Sequence, residues 1–491
     1  MTKSIVLATL LAAVTATQAS TFYVATSGKD TNLGTSAKPW RTIQHACNTA
    51  ASGSTVLVSS GVYKELVTIV RPIQLESAPS AHPIIDGTGI AVPASDAALV
   101  LINGVSNVLV HGFEIRNFKT ANSALVPAGI LIEGMANAVT LKGNTVDHIE
   151  NNGADAANIN GFGIAVYGNS PKGAITNLVI DQNTITATKT GNSETLTLNG
   201  NVNGFKVTNN LVHDVNNIGI DCIGFEGTSP IRGQDQARNG YIGLNTVYNV
   251  SSLHNPAYGG SESADGIYVD GGTAIVIERN IMHHNDLGME VTSEHGGHVA
   301  SVCTVRNNLF YSNNVTGLSI GGYDSTRGGT LNCTFLGNTF YENDTTSSGS
   351  GDFMIQFHTS GNVFKNNILY TSSQGIAISD VGGVVPGVVS DYNVFYCPIT
   401  DGLTWGWGNG TYTDVASFRT ASKGDAHSKV GDPAFVGAAT HNFQLRTGSP
   451  ALNAGVVLAA TLAGTVDLLG NPRFIGKKVD IGCCETTKPG P

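Results

Sequence analysis

Charged side chains are scarce in this chain of 491 residues, where Asp, Glu, Lys and Arg together make up 13%. This scarcity, combined with 60 glycines, argues against a stack of helices, whose repeats are rich in Ala, Leu, Glu and Lys. The formal net charge is −10. Because proteins bind nucleic acid and anionic membranes through basic surfaces, the composition predicts neither partner.

Long apolar runs are absent after the first 19 residues, so the sequence predicts no membrane-spanning segment. Residues 1–19 contain Lys3, an apolar run from Ile5 to Val14, and small residues that end at Ala19. This arrangement is typical of a secretory signal peptide. We therefore expect a secreted, extracellular protein, and we expect it to be a monomer.

Cysteine motifs for metal binding are also missing, because none of the seven cysteines has the C-x2-C spacing of a zinc site. Cys303 and Cys333 each precede a recurring asparagine by five residues. They should therefore occupy the same position in neighbouring repeats, where a disulfide and a pair of buried thiols both fit. Cys222 fills an apolar position and is predicted to lie in the core.

A short pattern recurs nine times between Gly129 and Asn393. Each copy is a five-residue segment in which the second and fourth residues are apolar. Seven of the segments begin with Gly, one begins with Thr and one begins with Asp. The segments are Gly129–Glu133, Gly163–Tyr167, Thr195–Asn199, Gly219–Ile223, Gly266–Asp270, Gly288–Thr292, Gly317–Gly321, Asp352–Gln356 and Gly375–Ser379. Such alternation indicates strands, and repeat spacings of about 22 to 47 residues indicate a solenoid. The sequence predicts an all-β parallel β-helix.

One asparagine recurs between successive segments. Asparagine tolerates the left-handed backbone conformation and bonds to nearby backbone groups, so these residues are predicted to form an internal ladder at a turn. They are Asn144, Asn183, Asn210, Asn245, Asn280, Asn308, Asn338, Asn367 and Asn393.

The two ends of the chain carry a family resemblance. Phe22-Tyr-Val-Ala-Thr-Ser-Gly-Lys-Asp30 and Lys38-Pro-Trp-Arg-Thr-Ile-Gln44 resemble the opening of secreted pectate-lyase-like right-handed parallel β-helix proteins, and Gly431-Asp-Pro-Ala-Phe435 and Val479-Asp-Ile-Gly482 are similar to their C-terminal segment. The resemblance implies a right-handed β-helix and a carbohydrate-active protein. It does not imply one reaction, because this fold hosts lyases, hydrolases, epimerases and adhesins.

The chain is accordingly divided into four parts. Residues 1–19 form the signal peptide, and residues 20–95 form an N-terminal cap with the first rungs. Residues 96–400 form the parallel β-helix with a substrate groove, and residues 401–491 form a C-terminal cap. A strand from Thr21 to Ala25 and a helix from Ile43 to Ala51 are predicted within the N-terminal cap, which should cover the open end of the solenoid.

The third and fifth residues of each segment should face out of the coil, and we call these positions the outer lane. Acidic groups concentrate on three consecutive repeats of this lane, at Asp221, Asp270 and Glu290. Stacked carboxylates raise each other's proton affinity, which costs stability but suits acid/base chemistry. We expect Asp270 and Glu290, with carboxyl groups about 5 to 7 Å apart, to serve as acid and as base or nucleophile. Asp221 is expected to support them as a third catalytic carboxylate.

The strand ends and loops beside these carboxylates supply candidate contacts to a linear polysaccharide. A long loop after Ile223 and the loops after Thr292 and Gly321 should rim the same face. The predicted substrate-binding residues are Tyr268, Glu294, His295, Tyr323, Asp324 and Arg232.

Two other functions stay open. A lyase acting on a uronate polysaccharide would need positive charge or calcium, yet no outer-lane position holds Lys or Arg. It would use Tyr268 or His295 as base, with Asp221, Asp270 and Glu290 holding Ca²⁺. A non-catalytic carbohydrate-binding or surface β-helix protein is the third class. The sequence favours a secreted polysaccharide-degrading enzyme that works by carboxylate-based hydrolysis and requires no cofactor.

Overall fold

Three long parallel sheets run the length of the molecule, and each coil of the chain adds one strand to each of them. The computed structural model describes residues 20–95, 97–383, 387–399 and 402–486, so the predicted signal peptide lies outside the described residues. Successive strands enter three different sheets in turn, here named sheet B, sheet C and sheet A. Every strand of one coil pairs in parallel with its counterpart in the next coil until the antiparallel ending of sheet A. This confirms the parallel β-helix.

The strands of the sheets are as follows. Sheet A contains Val67–Ile69, Ala98–Asn103, Ala128–Glu133, Phe162–Gly168, Leu196–Gly200, Ile220–Ile223, Asp265–Asp270, Leu287–Thr292, Thr316–Ile320, Phe353–Ile355, Ile376–Asp380, Thr404–Trp407 and Gly410–Tyr412. Sheet B contains Thr21–Val24, Ser54–Val58, Ile73–Ser77, Val108–His111, Val139–Lys142, Ile175–Asp181, Val202–Thr208, Arg238–Gly243, Val276–Glu278, Thr304–Arg306, Thr334–Leu336, Asn362–Lys365 and Val388–Asp391. Sheet C contains Gly61–Tyr63, Pro83–Asp86, Glu114–Thr120, Thr145–Asn151, Thr184–Thr186, Leu211–Val215, Thr246–Val250, Ile281–His283, Leu309–Tyr311, Thr339–Tyr341, Ile368–Tyr370, Val394–Tyr396 and Lys429–Val430.

Smaller elements decorate this frame. A three-stranded sheet of Val299–Ser301, Gly329–Leu331 and Thr359–Ser360 lies beside the coil, and Phe435–Gly437 pairs with Asn442–Leu445 in an antiparallel hairpin. The α-helices are Ile43–Thr49, Val415–Ser422 and Ala460–Ala463, and the 3₁₀ turns are Pro256–Tyr258 and Ala438–Thr440. Within the described part of the chain, no helix has the length and apolar character needed to cross a membrane.

All nine predicted segments fall in sheet A in their predicted order, which shows that the two-residue alternation identified one face of the solenoid. The inward residues, such as Ile220, Cys222 and Met289, are fully buried in one continuous core. The last segment is out of register by two residues, because Met354 pairs with Ser379 and not with Ala377 as the aligned segments predicted. A shift of two keeps each side chain on its face, so the sequence pattern could not reveal it.

Both ends of the coil are covered. At the N-terminal end, Thr21–Val24 is the first strand of sheet B. The helix Ile43–Thr49 buries Ile43, Ala46 and Cys47, and Thr42 accepts a hydrogen bond from the His45 N–H at the helix start. At the other end, Trp405 stacks on Phe418 with ring centroids 5.2 Å apart. The chain then returns along the outside of the coil, where Ile481 packs in a second apolar cluster with Leu309, Ile368 and Val394 of sheet C.

The asparagine ladder is confirmed. Eight side chains donate from Nδ2 to the Oδ1 of the asparagine in the next coil, over 2.9 to 3.3 Å, and these bonds link all nine predicted residues. Asn393 ends the ladder and donates to Phe364 O and Ser390 Oγ. A second, shorter ladder was not predicted. It runs from Asn285 through Asn313 and Asn343 to Asp352 with the same geometry.

Replacing one ladder asparagine should destabilise the protein strongly. In Asn245→Ala, Val207 O loses its donor, and the Asn210 N–H and Nδ2 lose their shared acceptor, all in the buried interior. Buried groups left without partners cost 1–3 kcal/mol each, so we expect a loss of about 2–4 kcal/mol in the free energy of unfolding. Denaturant unfolding measures this loss. Asn48→Ala on the exposed face of the first helix is the control, and an equal loss in both variants would contradict the ladder's role.

The cysteines are free thiols in the structure. They include Cys303 and Cys333, for which the sequence allowed either a disulfide or a pair of thiols. Cys303 and Cys333 precede paired strands of sheet B, and the backbone N–H of Cys303 donates to the Cys333 sulfur over 3.3 Å. Cys222 lies in the core as predicted.

Candidate functional site

The predicted carboxylates come together on the outer face of sheet A. Asp221 pairs with Tyr268, and Tyr268 pairs with Glu290, so the three side chains occupy the same position on three neighbouring strands. Their neighbours in sequence, Ile220 and Met289, point into the core. Asp270 lies two residues further along its strand, opposite Thr292. The sequence alignment thus gave the correct register in this part of the sheet.

These residues form a buried floor. Asp221, Tyr268, Asp270 and Glu290 expose only 2%, 3%, 4% and 8% of their surfaces. Loops that leave the ends of the sheet A strands cover the outer lane, which is therefore more enclosed here than an open groove. We call the four residues the acidic floor.

Partly exposed residues form a rim above the acidic floor. Glu226 follows the strand Ile220–Ile223, and Glu294 and His295 follow Leu287–Thr292. The Glu226 and His295 side chains are 46% and 35% exposed, and His295 Nε2 lies 3.3 Å from Glu226 Oε1. Tyr323 is 45% exposed. The rim is the more exposed side of the carboxyl cluster.

Hydrogen bonds hold two of the floor carboxyls in place. Asp270 Oδ1 accepts from the Glu294 backbone N–H over 2.7 Å, and Ser319 Oγ donates to Glu290 Oε1 over 3.1 Å. Among the described residues, buried Asp221 Oδ1 and the Tyr268 hydroxyl have no hydrogen-bond partner. Since buried polar atoms are nearly always satisfied in folded proteins, we expect these two atoms to bond to ordered water or to a ligand.

Burial dominates the electrostatics of the cluster. It raises the pKa of Glu290 to about 8, against the opposing hydrogen bond from Ser319 and with a smaller contribution from the charge of Glu294. Burial also raises the pKa values of Asp221 and Asp270 well above the ordinary value, and the charges of Glu194 and Glu294, respectively, add to this effect. Glu290 therefore holds at neutral pH a proton that a solvated carboxylic acid would release.

The structure adds residues that the sequence pattern missed. Glu194 and Asp265 each immediately precede a predicted segment, so neither occupied an outer-lane position. Burial raises the pKa of Glu194 to about 7, and that of Asp265 also rises well above its ordinary value. The guanidinium of Arg327 lies 4.6 Å from the ring centre of Tyr323 and donates to the Glu294 carbonyl over 3.4 Å. It brings to the rim the positive charge that the outer lane lacks.

The predicted substrate-binding residues occupy different places. Tyr268 belongs to the floor, and Glu294, His295 and Tyr323 belong to the rim. Asp324 is partly exposed and accepts hydrogen bonds from the N–H and the hydroxyl of Thr326. Arg232 is exposed on the loop after Ile223, and no contact within the described ranges joins it to the carboxylates. Their roles stay predictions.

One group of side chains could hold a metal ion. Ligand atoms of Glu226, Asp270 and His295 lie within 4.8 Å of one another. This set shares only Asp270 with the calcium ligands predicted from the sequence. Calcium prefers oxygen ligands alone, whereas an imidazole with two carboxylates suits a transition metal such as Zn²⁺ or Mn²⁺.

Comparison with known proteins places the chain in a family. Residues 235–415 match the family model described as "Right handed beta helix region", and residues 26–78 match a family described as "Protein of unknown function (DUF1565)". The chain is 35% identical over 435 residues to the uncharacterized protein YwoF of Bacillus subtilis (strain 168), covering 87% of this chain and 91% of that protein. The chain belongs to the YwoF family.

Solved structures confirm the fold of this YwoF-family member. The native GH136 lacto-N-biosidase from Eubacterium ramulus is similar with a TM-score of 0.52 and 13% identity, over 84% of this chain and 68% of that one. Pectate lyase Pel9A is similar with a TM-score of 0.48 and 14% identity, over 95% of this chain and 96% of that one. Together with the family match, the likeness to the lacto-N-biosidase confirms the right-handed parallel β-helix.

Proposed function

We propose that this protein is a secreted enzyme that hydrolyses glycosidic bonds of a polysaccharide at the acidic floor. The observation that carries the proposal is the buried carboxyl cluster, in which Glu290, whose pKa burial raises to about 8, lies one strand from Asp270 and two strands from Asp221. A lacto-N-biosidase shares the fold, so the fold is compatible with an enzyme that acts on glycans.

Glu290 has the character of a general acid. Glycosidases that use two carboxyl groups need one that is protonated, and such acids have raised pKa values because they are buried. Ser319 donates to one oxygen of Glu290, which fixes the orientation of the carboxyl group. The proton on Glu290 is then available to the oxygen of the leaving sugar.

Asp270 is the proposed base or nucleophile. It lies on the strand next to Glu290 and two residues further along, which separates the Cα atoms by about 8 Å. Side chains of this length bring the carboxyl groups within the range of glycosidase pairs, about 5 to 9.5 Å. The Glu294 N–H favours the ionised form of Asp270, which a base or nucleophile needs, and so opposes the burial that raises its pKa. Asp221, two strands from Glu290, would stabilise positive charge that develops on the sugar ring.

β-Elimination on a uronate polysaccharide is the second candidate. It is favoured by the three possible metal ligands Glu226, Asp270 and His295, and by Arg327 at the rim, since a cation there would neutralise the uronate carboxylate. The unpartnered hydroxyl of Tyr268 would then be the base. A non-catalytic carbohydrate-binding protein is less well supported, because a buried cluster of carboxyls lowers stability and a passive surface gains nothing from it.

A substrate panel separates these functions. Neutral and uronate polysaccharides are incubated with the purified protein, with and without a chelator, and both reducing ends and ultraviolet absorbance are measured. Hydrolysis predicts new reducing ends on a neutral glycan, no absorbance from unsaturated sugars, and no effect of the chelator. Unsaturated products that disappear with the chelator would replace hydrolysis by the lyase mechanism. The absence of cleavage across the panel would contradict both.

A further inference from the structure

The outer face of sheet A changes character on the N-terminal side of the acidic floor. Leu101, Leu131 and Ala165 are register partners on three neighbouring strands, as are Ala98, Ala128 and Phe162. With Tyr167, these residues form a separate apolar cluster outside the coil. We call this cluster the apolar shelf.

The apolar shelf opens into a cavity of about 230 Å³. Among its lining residues are Ser95, Val126, Leu131, Glu133, Phe162 and Tyr167. Phe162 supports Tyr167 edge-on, with ring centroids 5.8 Å apart. Leu131 and Tyr167 are only half-buried, so an apolar surface and an aromatic ring are available to a ligand.

The shelf is continuous with the acidic floor. Ala165 pairs with Thr197, and Thr197 pairs with Asp221, so two strand spacings, or about 10 Å, separate the shelf from the first floor carboxylate. Tyr167 lies at the boundary, since the charges of Glu194 and Glu226 contribute, after burial, to raising its pKa. A polymer bound along the sheet would cover both regions.

The charges around the shelf restrict its ligand. Within the described ranges, no Lys or Arg lines the cavity, and Glu133 is its one charged residue. The neighbouring floor and rim add more carboxylates. A uronate would meet like charge here, whereas a neutral sugar presents an apolar ring face to Tyr167 and Leu131 and hydroxyl groups to Glu133 and Ser95.

We propose that the apolar shelf is a binding subsite for an uncharged sugar residue, two or more strand spacings from the reacting bond. This inference rests on the proposed function, because it assigns a neutral glycan to the same enzyme. Were the shelf only a packing surface for the loops that contain Ser95 and Val126, changes to its open side would leave glycan binding unaltered.

Two variants test the subsite by different means. Tyr167→Ala removes the ring, and Leu131→Phe fills the cavity while keeping the side chain apolar. Val389→Phe is the control, because Val389 is 57% exposed on a strand of sheet B. Each change is made in the Glu290→Gln background, and the Kd values of neutral oligosaccharides (xylo-, manno-, cello- and chito-hexaose) and of hexagalacturonate are measured by calorimetry.

The proposal predicts that at least one neutral hexasaccharide binds, that Tyr167→Ala and Leu131→Phe each weaken its binding about tenfold or more, and that the control does not. Unchanged binding in both shelf variants, or tighter binding of hexagalacturonate than of every neutral sugar, overturns it. The outcome is separable from that of the proposed function. Shelf-dependent binding by a protein whose wild type cleaves nothing would refute hydrolysis alone. Cleavage by the wild type, combined with binding that the shelf variants leave unchanged, would refute the subsite alone.

Discussion

Glu290→Gln and Asp270→Asn should each lower the rate of glycan cleavage by about 10²–10⁴, the usual contribution of a positioned acid or base. The amide side chains have the same shape as the carboxyls, but Gln has no acidic proton to give and Asn cannot accept one or attack the sugar. The expected loss is in kcat, measured on the polysaccharide that the wild-type protein cleaves best.

Asp432→Asn is the matched control, because Asp432 is exposed in the C-terminal segment away from the acidic floor. Its activity should equal that of the wild type. Circular dichroism and thermal unfolding establish that the variants are folded. Wild-type activity in both floor variants would refute their assignment, even if the protein cleaves glycans at another site.

The second large effect concerns stability. Glu290→Gln, which should lower the activity, should raise the stability of the protein at high pH. Glu290 has a folded-state pKa of about 8 and an ordinary value of 4.5. The folded protein therefore holds a proton that the unfolded chain releases, and this group's contribution is most favourable below pH 4.5. Stability should fall as the pH rises from 4.5 to about 8 and then level off.

Glu290→Gln removes this penalty because the amide is neutral at every pH. At pH 9 the variant should be more stable than the wild type by about 2–4 kcal/mol, and the difference should shrink toward pH 4. Denaturant unfolding at a series of pH values measures it, with Asp432→Asn as the control. A variant that is less stable than the wild type at pH 9 would show that Glu290 serves the fold and not a reaction.

These two predictions together distinguish a reaction site from a structural one. When a carboxyl group that stabilises the fold is replaced, the protein loses stability. When a carboxyl group that serves a reaction is replaced, the protein loses activity and gains stability. The asparagine ladder provides the contrast within this molecule, since Asn245 has every side-chain bond satisfied and Asp221 Oδ1 has none among the described residues.

Much of the fold could be predicted because side chains alternate between the two faces of a strand with a period of two residues, and because the coils of a solenoid repeat along the chain. Those two periods placed Asp221, Tyr268 and Glu290 in one row, and the structure pairs them as expected. The asparagine ladder could be predicted because one asparagine recurs in each coil. The register of Ser379 could not be predicted, because a two-residue shift preserves the alternation on which the alignment depended.

The surroundings of the site could not be predicted because loops follow no period. Arg327 reaches Glu294 from a loop six residues after Gly321, and nothing in the sequence shows which way that loop folds. The burial of the acidic floor could not be predicted for the same reason. Glu194 and Asp265 directly precede a segment, at a position that the two-residue alternation assigns to the inward face, so the pattern gave no signal for them. The prediction of secretion rests on residues 1–19, outside the described residues, and stays a prediction.

Digestion in water enriched in heavy oxygen tests the central claim most directly, once a cleaved glycan is known. Carboxylate-based hydrolysis predicts that each new reducing end carries one heavy oxygen atom from the solvent, detected by mass spectrometry, and that Glu290→Gln forms no labelled product. Products that carry no solvent oxygen and contain a double bond at the new end would contradict hydrolysis at the acidic floor.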